Sequence, residues 1–456
     1  MLERARLLER SGEMALRAGR TEQAQTRFEQ ALTLFEDAGE RHQAARVTAR
    51  LGEVDLRRGQ LDEALERMQR AWGELEGEEP DADIAALAAQ LGRLHLLRDE
   101  PEPASPRLET ALDLAESLWL PEVLAEALNS SGVIATFRSR LAQGQALIKR
   151  ALELALEYEL PTAALRAFNN LGDVLTRRDR CDEATVQLEQ GIAYARRVGD
   201  RVWEQRLLGE LSWPLALTGR WPEALALLEQ VPEERLVELT PAFLLALAEP
   251  LVAQGRLEDA RHLLSLHARY EASADFQQRT AYRAAESVVL RAEERDRQAL
   301  AAADEVLTAG VEIRPTDQMV KVAFPQALEA ALALGERERA EQLLAPIEAL
   351  PPGRLAPSLR GHAARFRARL AAEDGKTRKA ERGFAAAAST FREFAMVFWL
   401  AMTLTEQSEW LTSEGRAAEA EPLLAEARGT FVRLEAKPWL KRVEGAEATP
   451  RAEVPV

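Results

Sequence analysis

The chain has 456 residues, of which 46% are hydrophobic and 29% are charged, and its formal net charge is -16. This acidic balance argues against binding of a nucleic acid backbone as the main activity. The single cysteine, Cys181, excludes an intrachain disulfide and fits a reducing compartment. The charged start of the chain argues against a signal peptide. No apolar run is long enough to predict a membrane span. We therefore expect a cytoplasmic protein without nucleic acid or membrane partners.

A small residue recurs every 40 positions through the first half of the chain. Six copies share it, at Gly12, Gly52, Gly92, Gly132, Gly172 and Ser212. In each copy an alanine or glycine follows 12 residues later and opens a second apolar stripe. Because two antiparallel helices approach closely only where a side chain is small, the pattern predicts one helix hairpin per copy. A period of this length indicates a solenoid.

The register of the repeat changes around residues 231–241, and weaker copies continue to residue 442. We count eleven hairpins and predict two arrays, residues 1–236 with six hairpins and residues 237–442 with five. Residues 443–456 are predicted to be a disordered tail. Three prolines, Pro214, Pro250 and Pro325, fall inside predicted first helices, where proline kinks a helix. Two interpretations stay open: a local change of superhelix curvature, or a hinge between the arrays.

The second copy shows the repeat most clearly, at Leu51-Gly52, Ala64, Met68 and Ala71. These positions resemble the Leu-Gly, Ala, Phe and Ala positions of the tetratricopeptide repeat. That repeat usually has about 34 residues, so the helices or loops here are longer by about six residues. The resemblance implies an all-α, right-handed superhelical solenoid of about eleven hairpins.

The last copy ends in a second pattern, formed by Phe431, Leu434, Ala436 and the run Pro438-Trp439-Leu440. Residues 398–442 resemble the end of bacterial adenylate/guanylate cyclases that are fused to an AAA-type ATPase module and a C-terminal tetratricopeptide array. Related arrays end transcription activators of the signal-transduction ATPase class. The cyclase and ATPase domains of such proteins would precede Met1, so the resemblance transfers no catalytic residue to this chain.

The residues with reactive side chains match no catalytic or metal-binding pattern. Gly375-Lys376-Thr377 resembles the end of a phosphate-binding loop, but Leu370 stands where that loop needs a glycine. The histidines form no metal-binding pair. Cys181 takes the position of Leu61 and Leu141 in other copies, which predicts a small buried hydrophobic residue. We therefore expect no enzyme, no cofactor and no metal site.

The first helices of such arrays line a concave groove, and three copies carry polar and aromatic residues there. Amides hydrogen-bond a peptide backbone, arginines pair with carboxylates, and aromatic rings anchor apolar groups. The predicted groove residues are Asn129, Ser130, Phe137, Arg166, Asn169, Asn170, Asp173, Arg177, Arg206, Glu210 and Trp213. The alternative interpretation is an ordinary solvated groove wall.

The sequence thus predicts a non-catalytic scaffold that binds a protein or peptide, in bacterial signal transduction. The alternative is a regulatory or sensor array of a larger cyclase, ATPase or transcription activator, which binds a partner or a small ligand.

Overall fold

The structure is a computed structural model that describes residues 1–17, 19–75, 77, 79–98, 100–230, 242–273, 276–308 and 315–448. These residues form 23 α-helices, two short 3-10 helices (Ala268–Tyr270 and Pro352–Arg354) and no strand. The first twelve helices are α1 Leu2–Arg17, α2 Thr21–Asp37, α3 Arg41–Arg57, α4 Leu61–Leu75, α5 Ala82–Leu97, α6 Pro101–Ser117, α7 Pro121–Phe137, α8 Leu141–Glu157, α9 Pro161–Arg177, α10 Cys181–Val198, α11 Arg201–Leu217 and α12 Trp221–Glu229. The others are α13 Ala242–Ala253, α14 Leu257–Leu266, α15 Phe276–Ala292, α16 Asp296–Thr308, α17 Gln318–Ala333, α18 Arg337–Glu348, α19 Pro357–Glu373, α20 Thr377–Glu393, α21 Val397–Ser413, α22 Ala417–Leu434 and α23 Lys437–Ala448. Each helix in these ranges is too short or too polar to cross a membrane.

The helices pair in chain order into hairpins, each with a first and a second helix. Helix α1 packs on α2 and α3 on α4, and the series continues to α21 and α22, which gives eleven hairpins before the closing helix α23. Helices α3, α5, α7, α9 and α11 begin at residues 41, 82, 121, 161 and 201, so one sequence repeat is one hairpin. The prediction of an all-α, tetratricopeptide-like solenoid of about eleven hairpins is confirmed.

The small residues of the repeat lie where the two helices of a hairpin cross. A Cβ added to Gly52 would lie 2.8 Å from Met68 Cγ, and one added to Gly92 would lie 2.5 Å from Leu108 Cγ. Both distances are far below ordinary van der Waals contact, so a larger residue would push the helices apart. Gly59 has a φ of 77° and ends the first helix of its hairpin in the left-handed region, as its position predicts.

The chain divides into two compact units, Met1–Asn170 and Leu171–Val456, which we call unit 1 and unit 2. Unit 1 contains α1 to α8 and the first part of α9. Its core repeats along the chain, because Phe28, Met68, Leu108 and Ile148 are buried at equivalent places in four successive hairpins. The predicted array boundary at 236–241 lies outside the described residues.

In unit 2, helices that are far apart in the sequence pack together. Gln254, just after α13, donates a hydrogen bond from Nε2 to the Leu434 carbonyl oxygen over 3.0 Å. Trp399 of α21 donates from Nε1 to Glu249 Oε2 of α13 over 2.9 Å. Four first helices, α11, α13, α17 and α21, line one interior space.

The residues that carry the second resemblance form a packed cap within unit 2. The rings of Phe431 and Trp439 stack with their centroids 5.5 Å apart, and Phe398 meets Trp439 edge-on at 5.7 Å. Leu434 is buried in the same hydrophobic cluster. Helix α23 runs on to residue 448 and so includes residues 443–448 of the predicted tail, while residues 449–456 lie outside the described part.

Three prolines lie inside first helices of unit 2, as predicted: Pro214 in α11, Pro250 in α13 and Pro325 in α17. Proline has no amide hydrogen, so the carbonyl oxygens four residues earlier, at Glu210, Ala246 and Lys321, lose their usual helical donor. Both interpretations of these prolines, altered curvature and a hinge, stay predictions.

Candidate partner-binding surfaces

Polar side chains form a stripe along the first helices of unit 1, which we call the polar wall. It consists of Glu9 and Glu13 of α1, Arg46, Arg50 and Glu53 of α3, Asp83 and Gln90 of α5, Glu126 and Asn129 of α7, and Arg166 and Asn170 of α9. Hydrogen bonds join residues that lie 37 to 41 positions apart, across neighbouring first helices. The stripe exists because residues three or four apart share a helix face and the hairpins repeat in register.

The part of the polar wall on α1, α3 and α5 carries charges of both signs. The Arg46 guanidinium makes a bidentate pair with Glu9, at 2.7 Å from Nε and 2.8 Å from Nη2. Gln90 Nε2 and Arg50 Nη1 both donate to Glu53 Oε1, over 2.6 Å and 2.7 Å. Except for Glu9, these side chains border a depression between α3 and α5 with about 290 Å³ of empty space, part of it open solvent.

The predicted groove residues of α7 and α9 in unit 1 form a cluster of amides. Asn170 donates from Nδ2 to Asn129 Oδ1 over 3.3 Å, and Asn169 donates from Nδ2 to Asn170 Oδ1 over 3.2 Å. Asn129 and its neighbour Ser130 are buried, whereas Asn170 is half-buried. The structure therefore brings together four predicted residues, with Asn170 the most exposed of them.

Arg166 lies on the same face of α9 and is only partly neutralised. Its Nη1 donates to Glu126 Oε1 over 3.4 Å, a long contact, and its buried Nε has no hydrogen-bond partner among the described residues. Phe137, the last residue of α7, is half-buried. A buried guanidinium nitrogen without an acceptor marks a place where an added acceptor would be stabilised.

The other predicted residues lie in unit 2, and there Arg177 and Asp173 are engaged within the protein. Arg177 donates from Nε to Asp173 Oδ2 over 2.8 Å and forms an ion pair with Asp317 at the start of α17. Although burial disfavours its charge, the two carboxylates hold the pKa of Arg177 above its ordinary value. These residues stabilise the packing of unit 2 itself.

Three further predicted residues follow on α11. Arg206 is exposed and lies over the Trp203 ring at 5.4 Å from its centroid. Glu210 is half-buried, and burial raises the pKa of its carboxyl to about 7. Trp213 is 4% exposed and its indole nitrogen has no hydrogen-bond partner among the described residues.

A buried ion pair ties distant parts of unit 2 together. Lys321 of α17 and Asp179, in the turn after α9, are fully buried, and Nζ lies 2.6 Å from Oδ1. The ammonium also donates to the Thr176 carbonyl oxygen over 2.9 Å, and Asp179 Oδ2 accepts from the Ser358 amide over 2.8 Å. Hydrogen bonds to both partners are what a buried pair needs to be tolerated.

The interior of unit 2 contains a pocket, which we call the unit 2 pocket, with about 480 Å³ of empty space, part of it open solvent. Its lining includes Trp213, Trp221, Glu249, Gln326, Phe398 and Trp399. Burial raises the pKa of the Glu249 carboxyl to about 7. The pocket is therefore aromatic and apolar, with one titratable carboxyl in its wall.

Sequence reasoning identified Trp213 and missed Glu249. The hydrogen bond between Glu249 and Trp399 joins residues 150 positions apart, and no local pattern predicts such a contact. One signal was present, because Glu249 is the only ionisable residue in the apolar helix α13, AFLLALAEPLVA.

Two other candidates from the sequence are explained by local structure. At Gly375-Lys376-Thr377 the first two amides donate to Ala372 and Ala371 carbonyl oxygens, so the turn uses the groups that would cradle a phosphate. Cys181 is buried, as predicted, and burial raises the pKa of its thiol.

His42, Asp81 and Asp83 bring possible metal ligands within 4.8 Å of one another, across the start of α5. Asp81 caps that helix by accepting from the amides of Asp83 and Ile84, and Asp83 pairs with Arg46 at 3.3 Å. The cluster thus has a structural explanation as a helix cap with attached ion pairs.

The chain was compared with known proteins. The tetratricopeptide repeat model matches residues 3–71, which is the stretch from α1 into α4. No curated protein matches the chain. Among solved structures, the human IFIT1 dimer with m7Gppp-AAAA is 13% identical and covers 89% of this chain and 90% of its own, with a TM-score of 0.46.

Two further solved structures are similar to this chain. The Signal Transduction ATPase with Numerous Domains (STAND) protein with a tetratricopeptide repeat sensor from Pyrococcus horikoshii is 12% identical, with a TM-score of 0.46, and the match covers 74% of this chain and 50% of that one. A Rap protein complexed with Competence and Sporulation Factor is 12% identical over 95% of this chain and 99% of that one, with a TM-score of 0.43. At these identities the similarity concerns the fold alone. The chain is a tetratricopeptide-like helical solenoid.

Proposed function

We propose that this chain is a non-catalytic scaffold that binds a peptide segment of another protein along the polar wall of unit 1. The observation that carries the proposal is the continuity of the wall, because polar side chains recur at the same face of five successive first helices. A repeated face of this kind suits an extended segment, which meets equivalent groups at regular intervals.

The chemistry of the wall favours a peptide over an apolar ligand. The amide of the half-buried Asn170 offers both a donor and an acceptor, as a peptide backbone requires. Arg166, with its unpaired Nε, suits a carboxylate or a backbone carbonyl oxygen. Arg50 and Glu53 in the depression between α3 and α5 add charges of both signs. The wall therefore favours a partner with polar and charged side chains.

Selection from a displayed peptide library with the full chain as bait would test this proposal. We expect selected peptides to bind the Asn170→Ala and Arg166→Ala variants about 5- to 150-fold more weakly, because each change leaves a buried polar group of the complex unpaired. Lys149→Ala, an exposed residue on the second helix α8, is the matched control and should bind as tightly as the parent.

The opposite pattern would overturn the proposal. If Lys149→Ala weakened binding while Asn170→Ala and Arg166→Ala did not, the partner would dock on the second helices. Circular dichroism spectra of all three variants at the temperature of the binding assay should match the parent, which separates lost binding from lost folding.

A second candidate function is a regulatory array in a larger bacterial signalling protein. The specific observation is the closing pattern, since Phe431 and Trp439 resemble the end of cyclase–ATPase fusion proteins and pack together in the cap of unit 2. The reading frame upstream of the Met1 codon in the source genome would test it. A phosphate-binding loop and cyclase motifs in the same frame would support this function, and an in-frame stop codon would contradict it.

A further inference from the structure

The unit 2 pocket combines aromatic rings with a single carboxyl. Trp213 and Trp221 come from the α11 hairpin, Phe398 and Trp399 from α21, and Glu249 from α13. The Trp221 and Phe398 rings meet edge-on with their centroids 5.2 Å apart. Glu249 accepts one hydrogen bond, from Trp399 Nε1 over 2.9 Å. Aromatic faces and a carboxylate attract the same kind of ligand, a cation.

Glu249 is half-buried and, unlike the buried carboxyls of unit 2, has no cationic partner among the described residues. Asp179 is paired with Lys321 at 2.6 Å, and Glu406 is paired with Arg365 at 2.6 Å. For Glu249, the described residues provide no ion pair, only the Trp399 indole. Buried charges in proteins are normally paired, so an unpaired carboxyl in a pocket wall is a place for an added cation.

The backbone adds a further acceptor beside this carboxyl. Pro250 follows Glu249 directly and denies the Ala246 carbonyl oxygen its usual helical donor. Ala246, Glu249 and Pro250 all line the pocket. A ligand with N–H donors can therefore bond to a carboxylate and a carbonyl oxygen on the same helix.

We propose that the unit 2 pocket binds an alkylammonium group, with the charge at Glu249 and the alkyl part among the aromatic rings. Two sources carry this group, a free small amine and the lysine side chain of a peptide. The proposal does not depend on peptide binding by the polar wall, which lies in unit 1. The two can therefore fail separately.

The other charged groups around Glu249 leave its negative charge uncompensated. The positive charge of Arg365 on α19 favours the ionised form of Glu249, but Arg365 is hydrogen-bonded to Glu406 and Glu329. Lys321 of α17 lines the pocket and is paired with Asp179.

Two other titratable groups bear on the pH dependence of the pocket, His362 and Glu210. His362 of α19 packs against the Trp399 ring, with centroids 4.4 Å apart, and burial keeps its pKa well below the ordinary value, so it stays neutral. Burial raises the pKa of Glu210 of α11 to about 7, as it does for Glu249, so mutation must distinguish the two carboxyls. Neither group supplies a positive charge to the pocket.

The test is a titration of the full chain with n-butylammonium chloride, followed by the indole N–H signals in a nuclear magnetic resonance spectrum. The Trp399 signal is assigned with a Trp399→Phe variant. We expect n-butylammonium to shift the Trp399 signal, and n-butanol, its neutral counterpart, to leave it unchanged at the same concentrations. Equal shifts from both compounds would overturn the proposal, because the pocket would then be merely apolar.

Glu249→Gln is the decisive variant, since an amide oxygen can still accept the Trp399 hydrogen bond while the charge is lost. We expect n-butylammonium to bind this variant at least about tenfold more weakly. Glu258→Gln, an exposed carboxyl on α14, is the matched control and should bind as the parent does. Unchanged affinity in Glu249→Gln would overturn the proposal.

The pH dependence gives an independent check. Binding needs an ionised Glu249, so affinity should fall by about tenfold from about pH 8 to about pH 6 when the pKa is about 7. The fall should vanish in Glu249→Gln and persist in Glu210→Gln. A fall that vanished only in Glu210→Gln would contradict the assignment to Glu249.

A short blocked peptide that contains one lysine then identifies the source of the ammonium group. Tighter binding of this peptide than of n-butylammonium would assign the pocket to a lysine side chain, and tighter binding of the free amine would assign it to a small molecule. Both results support an alkylammonium site. Failure of both compounds to shift the Trp399 signal would overturn it.

Discussion

The two units are built from the same kind of hairpin, but their first helices differ in exposure to solvent. In unit 1 the first helices present a half-exposed polar wall, in which Arg50, Glu53 and Gln90 bond to one another beside open solvent. In unit 2 the first helices α11, α13, α17 and α21 surround an aromatic pocket, and Trp213 is 4% exposed. The face that is a surface in one unit is an interior in the other.

The difference follows from composition at equivalent places. Residues 40 positions apart are polar on the first helices of unit 1, at Arg10, Arg50, Gln90, Ser130 and Asn170, and Glu210 of α11 is the next member, in unit 2. Helix α13 of unit 2 carries an apolar run with a single carboxyl, Glu249. Proline inside the first helices is also confined to unit 2 among the described residues. The repeat determines the hairpin. The side chains of the first helix then determine whether its free face meets solvent or is buried in a core.

The largest expected effect comes from breaking the interior of unit 2. Lys321→Met leaves the fully buried Asp179 without its partner, so we expect the free energy of unfolding to fall by about 3–5 kcal/mol. Adding Asp179→Asn should restore part of the loss, because the unpaired charge is then gone. Urea unfolding measures the loss, and hydrogen exchange should place it in unit 2. Arg70→Ala on α4 removes the exposed ion pair of Arg70 with Glu66 in unit 1 and serves as the control. A loss below that of this control would contradict this account.

A substitution at the hairpin crossing should cost less. A Cβ at Gly172 would lie 2.5 Å from Leu188 Cδ2, so Gly172→Leu should destabilise by about 1–3 kcal/mol through overpacking. Leu188→Ala in the same chain should recover part of that loss. Gly429→Ala on α22 is the control, since its Cβ meets open space, and it should be neutral or stabilising. Equal stability of Gly172→Leu and the parent in urea unfolding would refute the crossing model.

The stability of the chain should also depend on pH, through two carboxyls of unit 2. Burial raises the pKa of Glu249 and Glu210 to about 7 in the folded chain, above the ordinary value of 4.5. Their contribution is fully present below about pH 4.5 and is lost as the pH rises through about 7, by about 1–3 kcal/mol for each group. Stability measured by urea unfolding should therefore fall between about pH 5 and about pH 8. A Glu249→Gln/Glu210→Gln chain that kept the same slope would show that other groups cause it.

The smallest effect is expected on the polar wall. Arg50→Ala removes a half-exposed pair with Glu53, and such pairs contribute about 0–1 kcal/mol. We therefore expect the free energy of unfolding to change by less than about 1 kcal/mol, which leaves the wall available for a partner. Thermal melting checks this, and a loss as large as that of Lys321→Met would mean that the wall is part of the core.

Much of the fold follows from the sequence, because the hairpin is a local structure. The 40-residue recurrence of Gly52, Gly92 and Gly132 predicts where helices cross, and the crossing is made by residues only 16 positions apart, such as Gly92 and Leu108. The interior of unit 2 does not follow in this way. Its contacts join Arg177 with Asp317 and Asp179 with Lys321, which are 140 and 142 positions apart, and a periodic pattern carries no information about them.

The candidate site shows the same limit. Asn129, Asn169 and Asn170 lie together as expected of residues on neighbouring first helices, one repeat apart. Arg177 looks equivalent in the sequence, yet its guanidinium is held by Asp317 within unit 2. Whether a polar residue faces a partner or its own chain depends on which distant helix covers it, and local spacing does not report that.

Hydrogen–deuterium exchange of the full chain, with and without a selected peptide, tests the central claim most directly. The claim is that the polar wall of unit 1 is the partner-binding face. We expect the peptide to slow exchange in the first helices α3, α5 and α7 and in residues 161–170 of α9, with the second helices α4, α6 and α8 unchanged. Slower exchange in the second helices of unit 1, with the first helices unchanged, would contradict the claim.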